Sequence, residues 1–212
     1  MKKTKIDWPF ENLHTWNPVT GCLHGCSYCY ARRMANRFVG HFNPTFHDNR
    51  LQEPGKIKKP VTIFVCSMAD LFGPWVSDSW IYPVLKSCQT HSRHRYLFLT
   101  QNPERYLKYT RELSAIKNCW LGVTAKSGQE VKKFGAMALM KRSGFKTFLS
   151  AEPLLGYFKW VDLEYIFDQV IVGPMTGPRA IPPKKEWLDS IKHSRIYKKA
   201  CLNQAIKNAK GR

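Results

Sequence analysis

Five short apolar runs, at residues 61–66, 96–100, 120–123, 145–149 and 169–172, constrain the fold of this chain more than any other feature. Each is continuous rather than alternating, the pattern of a parallel strand buried on both faces. Amphipathic stretches at 77–89, 103–114, 129–142 and 185–192 read as the helices that accompany them. Asn102-Pro103-Glu104 gives the second helix an Asn N-cap, a Pro at its first position and an acidic first turn. Strand and helix alternating at roughly 25- to 30-residue intervals specify right-handed βαβ units, and hence a parallel barrel or a doubly wound sheet.

In either architecture ligands sit at the carboxyl ends of the strands, so the residues that follow each run become the candidate site. Ser67, Met68 and Asp70 follow the first, Thr100 and Gln101 the second, Thr124 the third, Ser150 and Glu152 the fourth, and Gly173 the fifth. The bland alternative is that polar residues begin wherever a strand ends. Residues 40–59, rich in Pro, Asn, His and Lys, read as a long loop or insert, and 203–212 as a basic tail. A chain of 212 residues suits one well-buried α/β domain, so residues 1–212 are expected to form a single unit.

Cys22, Cys26 and Cys29 form a C-x3-C-x2-C array just before a helical stretch at 31–38. Three thiolates on so short a loop can converge on one inorganic centre. In a four-iron (4Fe-4S) cluster, three protein ligands leave one iron open to an exogenous ligand. Zinc competes, since His24 lies inside the loop, but structural zinc sites normally join two separated pairs, and no second pair follows at a usable spacing. Ferredoxin-type runs bring a fourth cysteine to each cluster. The set Cys88, His91 and His94 reads as chance. Cys66, Cys88, Cys119 and Cys201 lie in apolar or helical contexts, where free cysteine behaves as a small hydrophobe. Seven cysteines, an odd number, do not suit paired disulfides in a cytosolic chain.

The array, with Tyr28 just before the third cysteine, resembles the signature of the radical S-adenosylmethionine superfamily. Segments 15–22 (TWNPVTGC), 64–72 (FVCSMADLF), 120–124 (WLGVT), 150–156 (SAEPLLG) and 170–173 (VIVG) are similar to the phage-associated three-cysteine family of unknown function, across approximately residues 8 to 204. The superfamily resemblance implies a partial (β/α)6 barrel with the cysteine loop after its first strand. It also implies a 4Fe-4S cluster on Cys22, Cys26 and Cys29 whose open iron is chelated by the amino and carboxylate groups of S-adenosylmethionine. Reductive cleavage of that cofactor to a 5′-deoxyadenosyl radical follows from the same resemblance, with an electron donor such as flavodoxin or ferredoxin. By position along the strands, Ser67, Met68 and Asp70 stand where superfamily members receive the cofactor's amino group. Thr124 suits a ribose hydroxyl, and the Tyr28 backbone suits the adenine edge. Ser150, Glu152 and Gly173 complete the cofactor-binding set, unless Glu152 is simply a buried carboxylate paired with a lysine or arginine.

The formal charge of +19 points to a polyanionic partner, since 34 Lys and Arg face only 15 acids. A radical enzyme acting on nucleic acid or another phosphate-bearing substrate is therefore the first reading. A zinc-clipped nucleic-acid-binding module without catalysis is the second, and a radical enzyme modifying a peptide or protein is the third. No stretch approaches about 18 consecutive apolar residues, and the first residues lack a signal-peptide run, so a cytoplasmic protein without a membrane partner is expected.

Overall fold

A computed structural model describes residues 1–177 and 179–210, the side chains of 208–210 excepted. Gly211 and Arg212, the end of the expected basic tail, lie outside the described residues. Along the chain run β1 (Lys2–Lys3), β2 (Leu13–Trp16), β3 (Val19–Thr20), α1 (Tyr30–Phe38), β4 (Thr45–Phe46), β5 (Thr62–Val65), α2 (Asp78–Thr90) and β6 (Arg95–Thr100). There follow α3 (Thr110–Ser114), β7 (Cys119–Thr124), α4 (Val131–Arg142), β8 (Lys146–Ala151), α5 (Leu163–Ile166), β9 (Gln169–Val172), α6 (Lys185–Asp189), β10 (Ile196–Lys198) and α7 (Ala200–Lys210).

The strands of the main sheet lie in the order β1-β2-β5-β6-β7-β8-β9-β10. Every neighbouring pair from β2 to β10 is parallel, and only β1 is antiparallel. This is the α/β partial barrel that the resemblance implied, one of the two architectures the alternating pattern allowed. β2 and β5 to β9 supply the six expected strands, and β10 adds a short seventh beside β9. The first of them, β2, gave no continuous apolar run, because Leu13-His14-Thr15-Trp16 is buried only at its two ends.

Alternation along each strand divides the core into two layers. Ile63, Val65, Tyr96, Phe98, Leu121, Val123, Leu149, Val170 and Val172 pack outward against the helices. Phe64, Leu97, Phe148 and Ile171 point inward and are plugged by Trp8 and Phe10 from the N-terminal segment. Trp8 lies 4.7 Å from the Phe64 ring and 5.6 Å from that of Phe148. Gly122 makes room for this plug, since a Cβ there would stand 2.2 Å from the Phe148 ring.

Both faces of the sheet are therefore apolar in the middle of the strands. The inward-facing positions turn polar again at the carboxyl ends, where Leu97-Leu99 leads to Gln101, Trp120-Gly122 to Thr124, and Phe148 to Ser150 and Glu152.

Two local expectations change. Asn102 does not cap a helix: its side chain donates to the Phe72 carbonyl at 3.0 Å and its backbone N–H to Thr100 Oγ1 at 2.9 Å. The segment after it opens as a 3-10 helix, Pro103–Tyr109, with no side-chain cap. The 40–59 insert is also not bare loop. Its β4 pairs antiparallel with β3, and two 3-10 turns follow at Asp48–Arg50 and Pro54–Lys56. Among the described residues no helix is long and apolar enough to cross a membrane.

Candidate active site

The cysteine loop leaves the barrel at Gly21, whose φ of 83° and lack of a side chain let it pass within 2.0 Å, from a notional Cβ, of the Asn43 carbonyl oxygen. A larger residue fits neither the backbone angle nor the space. Gly21 N–H donates to the Met68 carbonyl at 2.9 Å and Cys22 N–H to the Phe42 carbonyl at 3.2 Å. The loop start is thus clamped between the turn after β5 and the 40–59 insert. Cys29 is the N-cap of α1, its sulfur accepting from Arg32 N–H at 3.3 Å. That position places the third thiol at the positive end of a helix dipole. Cys26 Sγ accepts from the Gln101 carboxamide at 3.0 Å. Burial pushes the Cys22 thiol up to about 12.

All three sulfurs line one cavity of about 500 Å³ at the carboxyl ends of the strands. Of the residues expected at the site, Tyr28, Ser67, Asp70, Thr124, Ser150 and Glu152 line it too. Met68 and Gly173 do not. Met68 ties the turn to the loops, its N–H donating to Asn17 Oδ1 at 2.9 Å. Gly173 lies behind Glu152, where a Cβ would meet Glu152 Oε1 at 2.7 Å.

Two carboxylates of the cavity are engaged by their neighbours, whereas the buried Tyr28 hydroxyl has no hydrogen-bond partner among the described residues. Asp70 is buried, and its carboxylate accepts from Phe72 N–H at 3.0 Å and Gln101 N–H at 2.9 Å, while Oδ2 stands 2.7 Å from His24 Nε2. His24 belongs to the cysteine loop, so Asp70 joins that loop to the ends of β5 and β6. Glu152 Oε1 pairs with Lys199 Nζ at 2.7 Å, and its Oε2 accepts from Trp8 Nε1 at 3.0 Å and Ser150 Oγ at 3.1 Å. The lysine pairing expected of a buried carboxylate is thus present, on a residue that also faces the cavity. The Tyr28 carbonyl accepts from Arg33 at 3.0 Å, and that of Thr124 from Lys133 at 2.8 Å.

His24, weighed above only as a zinc ligand, lines the cavity, as do Trp8, Tyr30, Lys199 and Cys201, which were not singled out as cofactor-binding residues. Cys201 is exposed at the start of α7 rather than packed, whereas Cys66, Cys88 and Cys119 are buried as structural thiols should be. Only Lys199 and Cys201 carried a faint sequence signal, as the residues after a short β-prone stretch at 196–198. The Cys88, His91, His94 set forms no centre: His94 Nε2 bonds the Pro54 carbonyl at 3.0 Å, and His91 lies near Gln52.

Among the described residues no three His, Cys, Asp or Glu side chains converge closely enough to hold a single metal ion. One zinc demands ligands within about 2.3 Å of a single point. A four-iron cluster asks less convergence, because each thiolate reaches its own iron. Three cysteines lining one roomy cavity, two of their sulfurs already accepting hydrogen bonds, fit the donor set of a four-iron cluster better than that of a single zinc.

A family model described as "Protein of unknown function (DUF5131)" matches residues 3–201. No curated protein sequence matches the chain. Among solved structures, spore photoproduct lyase complexed with dinucleoside spore photoproduct superposes with a TM-score of 0.57 at 13% identity, over 81% of this chain and 57% of that one. A variant of that lyase with bound AdoMet and dinucleoside spore photoproduct gives a TM-score of 0.54 at 12% identity, with the same coverage. The chain thus spans little more than half the length of these structures, and at such identity the likeness establishes the barrel fold.

Proposed function

Because this chain belongs to the DUF5131 family of proteins of unknown function, its activity has to be argued from the cavity, and we propose that it is a radical S-adenosylmethionine enzyme acting on nucleic acid or another phosphate-bearing substrate. One observation carries the reading: Cys22, Cys26 and Cys29 line the same cavity as the polar strand-end residues at the carboxyl rim of a parallel barrel. When bound, a 4Fe-4S cluster with S-adenosylmethionine at its open iron would supply a 5′-deoxyadenosyl radical by reductive cleavage.

This chain's residues have the remaining tasks. The three cysteines hold the cluster, and Gln101 and the first turn of α1 donate hydrogen bonds to two of the sulfurs. Thr124 at the end of β7 is suited to a ribose hydroxyl, and Glu152, just after β8, to the cofactor's ammonium group in exchange for its pairing with Lys199, with Ser150 beside it. Ser67 and Asp70 serve that group chiefly through the turn they build, because the Asp70 carboxylate is already engaged. The inward apolar plug of Trp8, Phe64 and Phe148 closes the barrel beneath the cavity against water. A low-potential donor of the flavodoxin or ferredoxin kind is required for such chemistry. The AdoMet and dinucleoside photoproduct bound to the structural neighbour support both the cofactor and the class of substrate, as does the net charge of +19.

The test is anaerobic reconstitution with iron and sulfide, reduction, and measurement of 5′-deoxyadenosine with and without tRNA, single-stranded DNA or duplex DNA. Formation of 5′-deoxyadenosine, raised by one of these polymers, is expected. A single zinc without labile sulfide in anaerobically purified protein would overturn the reading in favour of a zinc-clipped module, and stimulation by a peptide would replace the substrate class.

A further inference from the structure

We propose that the groove between α4 and the loop after β8 is a contact for single-stranded nucleic acid in which Trp160 stacks on an unpaired base. The inference rests on the nucleic-acid part of the preceding proposal and is independent of its radical chemistry.

Trp160 is 94% exposed, and its φ of 65° is a left-handed backbone that bulky residues rarely adopt. Burial therefore does not explain a tryptophan here. Beside it lies a second cavity of about 540 Å³, walled by Val131, Phe134 and Gly135 of α4 and by Lys159, Trp160 and Val161. Gly135 sits in the middle of α4, where alanine is the better helix former. A Cβ at that position would meet nothing within 4 Å, so packing does not require the glycine, and its bare backbone keeps the groove floor open. Tyr157, also exposed, carries the Lys159 ammonium 4.6 Å from its ring centroid.

Charge selects the occupant. Lys132 and Lys159 form no ion pair with a carboxylate among the described residues. Of the nearby acids, Glu130 pairs with Lys133 at 2.5 Å, and Asp162, at the groove's edge, turns its carboxylate to cap α5 by accepting from Tyr165 N–H at 3.0 Å. An unpaired lysine, Lys159, in the groove wall beside exposed aromatics, with Lys132 on the adjoining helix, suits a ligand that presents a flat apolar face beside a phosphate, which is a nucleotide with its base unstacked.

Placement on the rim ties the groove to the cysteine cavity. The two loops that frame it begin at Thr124 and Glu152, both cavity-lining. They are joined by Leu155 N–H to the Lys126 carbonyl at 3.0 Å and by Gly128 N–H to the Tyr157 carbonyl at 2.7 Å. A strand laid along these loops reaches Trp160 with one base while another nucleotide approaches the cavity.

Fluorescence anisotropy with a labelled oligothymidylate, on the full chain across a salt series, tests the proposal. Trp160→Ala should weaken binding by roughly five-fold to a hundred-fold, the range expected for removal of one base stack. Its salt slope should stay that of the wild type, since the same phosphates are neutralised, whereas Lys132→Ala with Lys159→Ala should flatten the slope by about 0.7 for each phosphate left without its lysine. Gly135→Leu, which fills the groove from an open position, should weaken binding comparably without lowering the melting temperature. Wild-type affinity in both Trp160→Ala and Gly135→Leu would overturn the proposal, as would absence of binding by the wild type at low salt. Because 5′-deoxyadenosine formation without substrate should persist in Trp160→Ala, failure of this interface and failure of the radical reading give different results.

Discussion

The Gln101 carboxamide donates to Cys26 Sγ at 3.0 Å across 75 residues of sequence, from the end of β6 to the middle of the cysteine loop. A hydrogen bond to a cluster thiolate withdraws electron density and favours the reduced form. In reconstituted protein, Gln101→Leu should therefore keep its iron and sulfide content and shift the cluster's reduction potential to more negative values. Redox titration followed by electron paramagnetic resonance measures this directly, and an unchanged potential would remove Gln101 from any role at the cluster.

Cys22→Ala, Cys26→Ala and Cys29→Ala should each abolish the brown absorbance and labile sulfide of the reconstituted protein. Cys88→Ala and Cys201→Ser should leave both intact, since Cys88 is buried away from the cavity and Cys201 lies on α7 rather than on the cysteine loop. Full cluster occupancy in any one of the first three variants would refute the three-ligand assignment.

Asp70 should matter for stability before it matters for chemistry. Asp70→Ala strands two backbone N–H groups, those of Phe72 and Gln101, and frees His24. Each unsatisfied buried group costs about 1–3 kcal/mol, so a loss of about 2–5 kcal/mol is expected by denaturant titration of the metal-free protein. Asp70→Asn, which retains one carbonyl oxygen, should lose less. A variant as stable as the wild type would contradict the anchoring role.

Glu152→Gln should retain the cluster and the circular dichroism of the wild type while slowing cleavage of S-adenosylmethionine at least about tenfold, equivalent to ~1.4 kcal/mol of transition-state stabilisation. Unfolding in place of reduced activity would show that the pairing of this carboxylate with Lys199 and Trp8 is purely structural.

Acid stability should carry the mark of Asp78 in the first turn of α2. Hydrogen bonds from Lys108 and Tyr109, against an opposing effect of desolvation and with further help from Arg105, hold its carboxyl down to about 2. A folded-state value below the unfolded one stabilises the protein above the unfolded value, and that contribution fades as pH falls through the folded value. Asp78→Asn should thus lower the melting temperature at neutral pH, and the gap from wild type should close between about pH 4 and pH 2. A gap independent of pH would locate the effect in packing.

Much of the barrel was legible in the chain because its information is local. Continuous apolar runs mark β5 to β9 wherever one reads them, and α2, α3, α4 and α6 lie within the periodic segments that announced them or a residue or so away, whereas the one-turn α5 had no such signal. The three-cysteine array is equally local, its spacing lying within a single loop. β2 was not legible, because four residues buried only at their ends look like coil until β1 and β5 pair with them on either side.

The chain alone thus determined the parallel βα repeat, the thiol triad and the strand-end rim on which a site would lie, since each follows from periodicity or spacing over a few residues, whereas barrel and doubly wound sheet share that periodicity. The tertiary structure decided which rim residues share the cavity and how each is employed. Asp70 joined the cysteine loop to the ends of two strands, Glu152 met Trp8 across 144 residues, Gln101 reached Cys26, and Met68 and Gly173 came to lie just outside the cavity lining. The reason is register: side chains from distant strands face one another only when the parallel ladder is aligned residue by residue, and a shift of one position would exchange the inward and outward faces of every strand.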